Sequence, residues 1–165
     1  MRNSGVIRQA VTIFYKEVYK MEIIIREIAE KDYLALLPIW NNELDSQVVT
    51  VDNIVRHYNR VKDDERYKTF VVLIGDDVVG FVSSVQSYAV GFEGCFMHII
   101  AFAVKKEAHR KGIGSKLLKE MENYARACGV YNIGLNTGVK RIDAHACYLG
   151  NGYITGGNLN FGKML

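Results

Sequence analysis

A mixed α/β fold, with helices packed on a central sheet, is predicted by three features of the sequence. Short β-branched runs and segments of helical period alternate along the chain in the order β, α, α, β, β, β, α, β, α, β, β. Gly75-Asp76-Asp77 joins two Val-, Phe- and Tyr-rich runs as a tight hairpin turn. A glycine loop at 109–115 then separates a strand from an amphipathic helix. The 165 residues suit one domain, and 49% apolar with 24% charged residues is the usage of a globular chain, which rules out wholesale disorder.

Met21–Glu27 (MEIIIRE) is short and β-branched, a first strand. Leu34, Leu37 and Trp40 recur at helical spacing within Ala29–Trp40, and Asp52–Val61 reads as a second helix begun by an Asp cap. Thr69–Ile74 and Val78–Tyr88 form the hairpin, and Cys95–Val104 the next strand. Ile113–Cys128 presents Ile113, Leu117, Met121, Tyr124 and Cys128 on one helical face, and Gly129 closes it. Tyr131–Asn136 is a short strand and Ile142–Leu149 a short helix ended by Gly150-Asn151-Gly152. Tyr153–Thr155 and Leu159–Met164 are expected as final strands. With no internal repeat and a single proline, Pro38, residues 21–165 read as one domain.

Residues 1–20 stand apart. Arg8, Gln9, Thr12, Lys16 and Glu17 interrupt any apolar core a secretory signal would need. Ile7, Val11, Phe14 and Val18 fit an amphipathic helix. Alternatively, Lys16–Met21 can be encoded as a strong bacterial ribosome-binding site followed by a start codon, so that translation begins at Met21 and residues 1–20 are a translated leader. Intact mass from the native host separates the two.

Composition excludes several function classes. Lys and Arg total 21 against 18 acidic residues, and a net charge of +3 is too small to argue for nucleic acid. Cys95, Cys128 and Cys147 are odd in number and lack a C-x-x-C pair, so neither a disulfide framework nor a metal site follows and a cytoplasmic home is expected. The longest apolar run, Cys95–Val104, is about half a membrane span and is broken by His98.

The loop His109-Arg110-Lys111-Gly112-Ile113-Gly114-Ser115 carries the chemistry. Glycines at a helix start let a ligand approach the backbone, and the unpaired N–H groups there favour anions. The same pattern also serves a plain strand-to-helix turn. ATP and NAD loops fit poorly. Ser115-Lys116 reverses the Lys-Ser/Thr order of the first, and Leu117 stands where the dinucleotide fingerprint needs its third glycine.

The stretch Ala103–Gly114 resembles motif A of the GNAT superfamily of acyl-CoA-dependent N-acyltransferases, Q/R-x-x-G-x-G/A at the start of a long helix, with His109 at the Gln/Arg position. Ala144–Tyr153 is similar to that family's motif B, A-x-x-F-Y-x-x-x-G-F, with Cys147 for the first aromatic and Tyr153 for the last. Arg141-Ile142-Asp143-Ala144-His145 also resembles a branch of small bacterial acetyltransferases. The resemblance spans residues 21–165 and implies a GNAT-like fold with acetyl-CoA as co-substrate and no metal.

It further implies the site residues. Backbone groups of Phe102, Ala103 and Val104 would pair with the pantetheine like an added strand, residues 109–115 would hold the pyrophosphate, and Asn136 would meet the pantetheine arm. Tyr148 is the family's general acid. The family's base often lies eleven residues before the Gln/Arg position; counting back from His109 reaches His98, whose imidazole suits proton uptake at neutral pH. A water chain or Glu93 is the alternative. Cys147 has no histidine placed to activate it, so direct transfer to the amine is expected rather than an acyl-enzyme. The acceptor is expected to be a small-molecule or peptide amine, neither nucleic acid nor membrane. Asn41–Gln47 would form one wall, with Glu43 and Asp45 attracting its charge, and His57 is a further lining candidate. Arg141 and His145 are expected to face solvent or a homodimer partner. A CoA-binding regulatory module without turnover is the alternative function.

Overall fold

The computed structural model describes residues 22–44, 46, 49–88, 90, 91, 93–156 and 163. The segment 1–20 and, apart from Lys163, the expected strand Leu159–Met164 lie outside the described residues, as do Asp45 and Gln47. Strand β1 (Ile23–Glu27) leads through a single 3₁₀ turn, Glu30–Asp32, into α1 (Tyr33–Glu43), and α2 (Val51–Val61) follows. Strands β2 (Tyr67–Ile74), β3 (Asp77–Tyr88) and β4 (Cys95–Val104) come next, then a 3₁₀ turn at Lys106–Ala108 and α3 (Ile113–Ala127). Strand β5 (Asn132–Leu135) and α4 (Ile142–Gly150) complete the described elements.

The five strands lie in the order β1-β2-β3-β4-β5, antiparallel except for the parallel β4–β5 pair. Ile74 pairs with Asp77, so Gly75-Asp76 alone turns the hairpin, with Gly75 at φ +61°. One sheet face carries α1 and α2, whose Leu36, Ile39, Ile54 and Tyr58 pack on Val71 and Phe81. The other carries α3, whose Ile113, Leu117, Leu118 and Met121 are essentially inaccessible and pack on Val72, Val82 and Phe102. Burying each such side chain stabilises the fold by about 1.5–3 kcal/mol.

Local signals misplace four features. Helix α2 begins one residue earlier than expected, and Thr50 caps it rather than Asp52. The Thr50 hydroxyl accepts from Asn53 N at 3.2 Å while Asn53 Oδ1 accepts from Thr50 N at 2.9 Å. That reciprocal pair satisfies two donors at once, which a lone Asp cannot. Asn41–Glu43, expected as a loop wall, form the last turn of α1. Tyr153–Thr155 form no strand; Tyr153 N donates to Tyr148 O at 3.1 Å and folds back on the end of α4. Cys128, expected on the buried face of α3, is exposed just past its end.

Strand β4 is interrupted by an extra residue. Ser84 pairs with Ile99 and Ser83 with Ala101, so Ile100 bulges out of the ladder. The bulge shifts the side-chain alternation: Met97 and Ile99 face α3 before it, Phe102 and Val104 after it. It also marks where the sheet opens. β4 and β5 pair from Phe96↔Asn132 to Ile99↔Leu135, and β5 ends there while β4 continues to Val104. Among the described residues the outer edge of β4 from Ile100 to Val104 has no strand beside it.

Candidate active site

The free edge of β4 opens into a cleft of about 580 Å³. Phe102, Ala103 and Val104 form its floor, the loop residues His109, Arg110 and Gly112 one end, and Ile113, Gly114 and Ser115 at the start of α3 one wall. Arg141 and, on the first turns of α4, Ile142, Asp143, Ala144, Ala146 and Cys147 supply the facing wall, and Glu43 reaches in from the end of α1.

The wall at α3 has the geometry that helix starts offer to anions. Gly112 precedes the helix at φ +73°, a left-handed conformation that costs other residues about 1–2 kcal/mol. No side chain caps this end, so the first-turn N–H groups keep their donors free. Gly114 packs closely for a different reason: a Cβ there would stand 3.2 Å from the Phe102 ring and 3.3 Å from Cys147 Sγ, so those side chains would have to give way. Cys147, in place of the aromatic of motif B, fits α4 against the start of α3, and burial pushes its thiol pKa up. Cations surround the cleft at Lys106, Arg110, Lys140 and Arg141. Arg110, itself at φ +61°, crosses the mouth to Asp143 at 3.5 Å.

Some of the expected cofactor residues stand elsewhere. Lys111 is not in the cleft wall; its Nζ donates back to Glu107 O at 3.0 Å. Asn136 lies exposed one residue beyond β5, also outside the wall. His109 lines the cleft, but its ring Nε2 donates to Val104 O at 2.7 Å, tying the loop to the strand end. Tyr148 is buried just behind Phe102, ring centres 5.7 Å apart. Burial pushes its phenol up to about 12, against the smaller opposing pull of the Arg141 charge.

His98 lies on the other side. Its neighbours Met97 and Ile99 face α3, so its half-buried ring points to the α1–α2 face, two residues before the bulge and opposite Gly134. Glu93 is exposed in the turn before β4, outside the cleft wall. Exposed His57 on α2 sits 6.4 Å, ring to ring, from Tyr67.

Two residues read as solvent- or partner-facing are used within the chain. Arg141 is half-buried in the cleft wall and donates to Glu43 O at 3.4 Å, and His145 Nε2 donates to Gly138 O at 2.9 Å, fastening the β5–α4 loop. The R-I-D-A-H run held both, but their partners lie in the fold. Glu43 Oε1 also accepts from Lys106 N at 3.3 Å, so α1 ends against the cleft.

The sequence model described as "Acetyltransferase (GNAT) family" matches residues 25–153. An aminoalkylphosphonate N-acetyltransferase of Salmonella typhimurium is 29% identical over 127 residues, covering 77% of this chain and 79% of that protein. A GNAT family acetyltransferase from Staphylococcus aureus superposes with a TM-score of 0.72 at 20% identity, over 88% of this chain and all of that one. An aminoglycoside acetyltransferase from an uncultured soil metagenomic sample does so at 0.78 and 18% identity, over 87% and 96%. Both motifs, the parted β4–β5 pair and a family match across most of the chain agree: this protein belongs to the GNAT family of acetyltransferases, enzymes that move an acetyl group from acetyl-CoA to an amine.

Proposed function

We propose that this protein transfers the acetyl group of acetyl-CoA to a small-molecule primary amine by direct attack. One observation carries the reading: an uncapped helix start behind Gly112 adjoins a strand edge that has no partner among the described residues. The first offers N–H donors to a pyrophosphate, the second offers the N–H and C=O groups of Phe102–Val104 to the amide-bearing pantetheine arm. Arg110 and the cations at Lys106 and Lys140 add charge for the phosphates.

The reaction asks for an amine without its extra proton and a stabilised sulfur. His98 takes the ammonium proton, directly or through water, and the freed nitrogen bonds to the thioester carbonyl carbon as the C–S bond breaks. The departing thiolate meets the Tyr148 hydroxyl. A phenol at about 12 lies well above a thiol at about 8.5, so complete proton transfer is uphill. Tyr148 therefore serves as a hydrogen-bond donor to sulfur, kept neutral by its burial, and Arg141 adds positive charge nearby. The relatives, named for aminoalkylphosphonates and aminoglycosides, support a small-molecule acceptor.

Thermal unfolding with and without acetyl-CoA tests the cofactor assignment, with ATP and NAD as controls. A ligand at a hundredfold its Kd stabilises by about 2.7 kcal/mol. Stabilisation by acetyl-CoA alone, followed by amine-dependent thiol release, is the expected result. No shift with acetyl-CoA overturns the reading.

A further inference from the structure

Four residues stand side by side across the sheet on the α1–α2 face. Tyr67 of β2 pairs with Val85 of β3, Val85 with His98 of β4, and His98 with Gly134 of β5. Independent contacts put each on that face. Lys68, next to Tyr67, stacks on Tyr124 of α3, so Tyr67 points away and meets His57 of α2. Ser84, next to Val85, bonds Met121 of α3. Ile133 and Leu135, flanking Gly134, pack with the α3 core. The alternation of a strand then sends Val85, His98 and Gly134 to the opposite side.

Gly134 breaks the row. A Cβ placed there would meet no atom of the described residues within 4 Å, and its backbone lies outside the left-handed region, so among them neither crowding nor a turn requires glycine. A glycine inside a strand weakens it and is placed at bulges, at tight bends and where a ligand or another backbone comes close; the β4–β5 ladder carries no bulge at Gly134. The space it leaves lies directly beside His98, the position assigned to the base.

We infer that the gap at Gly134 seats the carbon body of the acceptor next to its reacting nitrogen, making Gly134 the residue that sets which amines reach His98. The row of a phenol, an isopropyl group and an imidazole carries no fixed charge. It suits a primary amine on an uncharged, branched or ring-bearing body rather than one with an anionic group close to the nitrogen. This inference rests on the acetyl-transfer reading above.

Gly134→Val tests it, since Val suits a strand and meets open space among the described residues; Gly134→Ala gives a graded second variant. Each is measured for stabilisation by acetyl-CoA, for KM of acetyl-CoA, and with 2-phenylethylamine and 2-aminoethylphosphonate as acceptors. Amine stabilisation on top of coenzyme A provides a readout independent of turnover. The wild type should prefer 2-phenylethylamine. Its KM should rise at least tenfold in Gly134→Val and less in Gly134→Ala, while acetyl-CoA stabilisation and KM stay within twofold.

An unchanged amine KM in Gly134→Val overturns the inference. So does a preference for 2-aminoethylphosphonate that the variant leaves intact. If the variant instead loses propionyl-CoA relative to acetyl-CoA, the gap belongs to the acyl chain and the inference fails. A wild type stabilised by acetyl-CoA but neither stabilised nor turned over with either amine also removes it. Absence of acetyl-CoA binding in the wild type is distinguishable, because it removes the underlying acetyl-transfer reading.

Discussion

The imidazole of His109 donates from Nε2 to the carbonyl oxygen of Val104 at 2.7 Å, joining the loop before α3 to the last residue of β4. This contact holds the two halves of the cleft, strand edge and helix start, at a set separation. His109→Ala leaves that carbonyl without its donor, at about 0.5–1.5 kcal/mol for a hydrogen bond. Acetyl-CoA affinity, read by calorimetry, should fall by about 2- to 12-fold. His109→Gln, which can still donate, should recover most of it.

Gly112→Val puts a β-branched side chain at φ +73°. The left-handed backbone alone costs about 1–2 kcal/mol, and relaxing it rotates the first N–H groups of α3. A lower melting temperature without ligand, together with a smaller increment on adding acetyl-CoA, is the expected pair of results. An undiminished increment would remove the anion-site assignment.

Tyr148→Phe removes the hydroxyl and keeps the packing on Phe102. The expected outcome is unchanged acetyl-CoA stabilisation with kcat lowered at least tenfold. Because burial raises the Tyr148 phenol to about 12, it stays protonated through neutral and mildly alkaline pH. The kcat profile below pH of about 10 should therefore show no limb from its ionisation.

The same burial acts on stability at high pH. Tyr58, Tyr148 and Tyr153 are each pushed up to about 12 by desolvation of the phenolate, from an ordinary value of 10.0. An acid whose folded pKa is raised binds its proton longer in the native state than in the unfolded chain. Its stabilising contribution is whole below pH 10.0 and is lost as pH rises towards 12. Urea midpoints should fall across that window, and Tyr153→Phe should make the fall shallower.

Asp32 offers the opposite sign. Arg26 clamps its carboxylate at 2.6 and 2.8 Å, and Ala29 N adds a third bond at 2.8 Å. The Arg26 bonds, outweighing burial, hold its pKa below 3.8, so this stability is present above pH 3.8 and fades as pH drops through the lowered value. Asp32→Asn breaks the clamp and should destabilise by about 1.5–3 kcal/mol at neutral pH. It should also weaken the dependence of the urea midpoint on acid pH.

The sequence by itself determined what depends on near neighbours in the chain. Cys95–Val104 is a strand over the expected span, α3 starts at Ile113, and Gly129 closes it at φ +71°. These follow from side-chain period and from backbone conformations that glycine alone adopts readily. The same locality made the glycine turn into α3 legible, because its N–H groups belong to consecutive residues.

Tertiary structure decided whatever depends on a partner far along the chain. The Ile100 bulge exists only through pairing with Ser83 and Ser84, yet it chooses which β4 side chains face the core and where β5 parts from β4. Arg141 reads as a surface cation until Glu43, 98 residues away, takes its hydrogen bond. Gly134 reads as a weak point in a strand until His98 lies beside it. Hydrogen-bond and packing partners of this kind are set by how strands and helices assemble, and no local period in the chain encodes them.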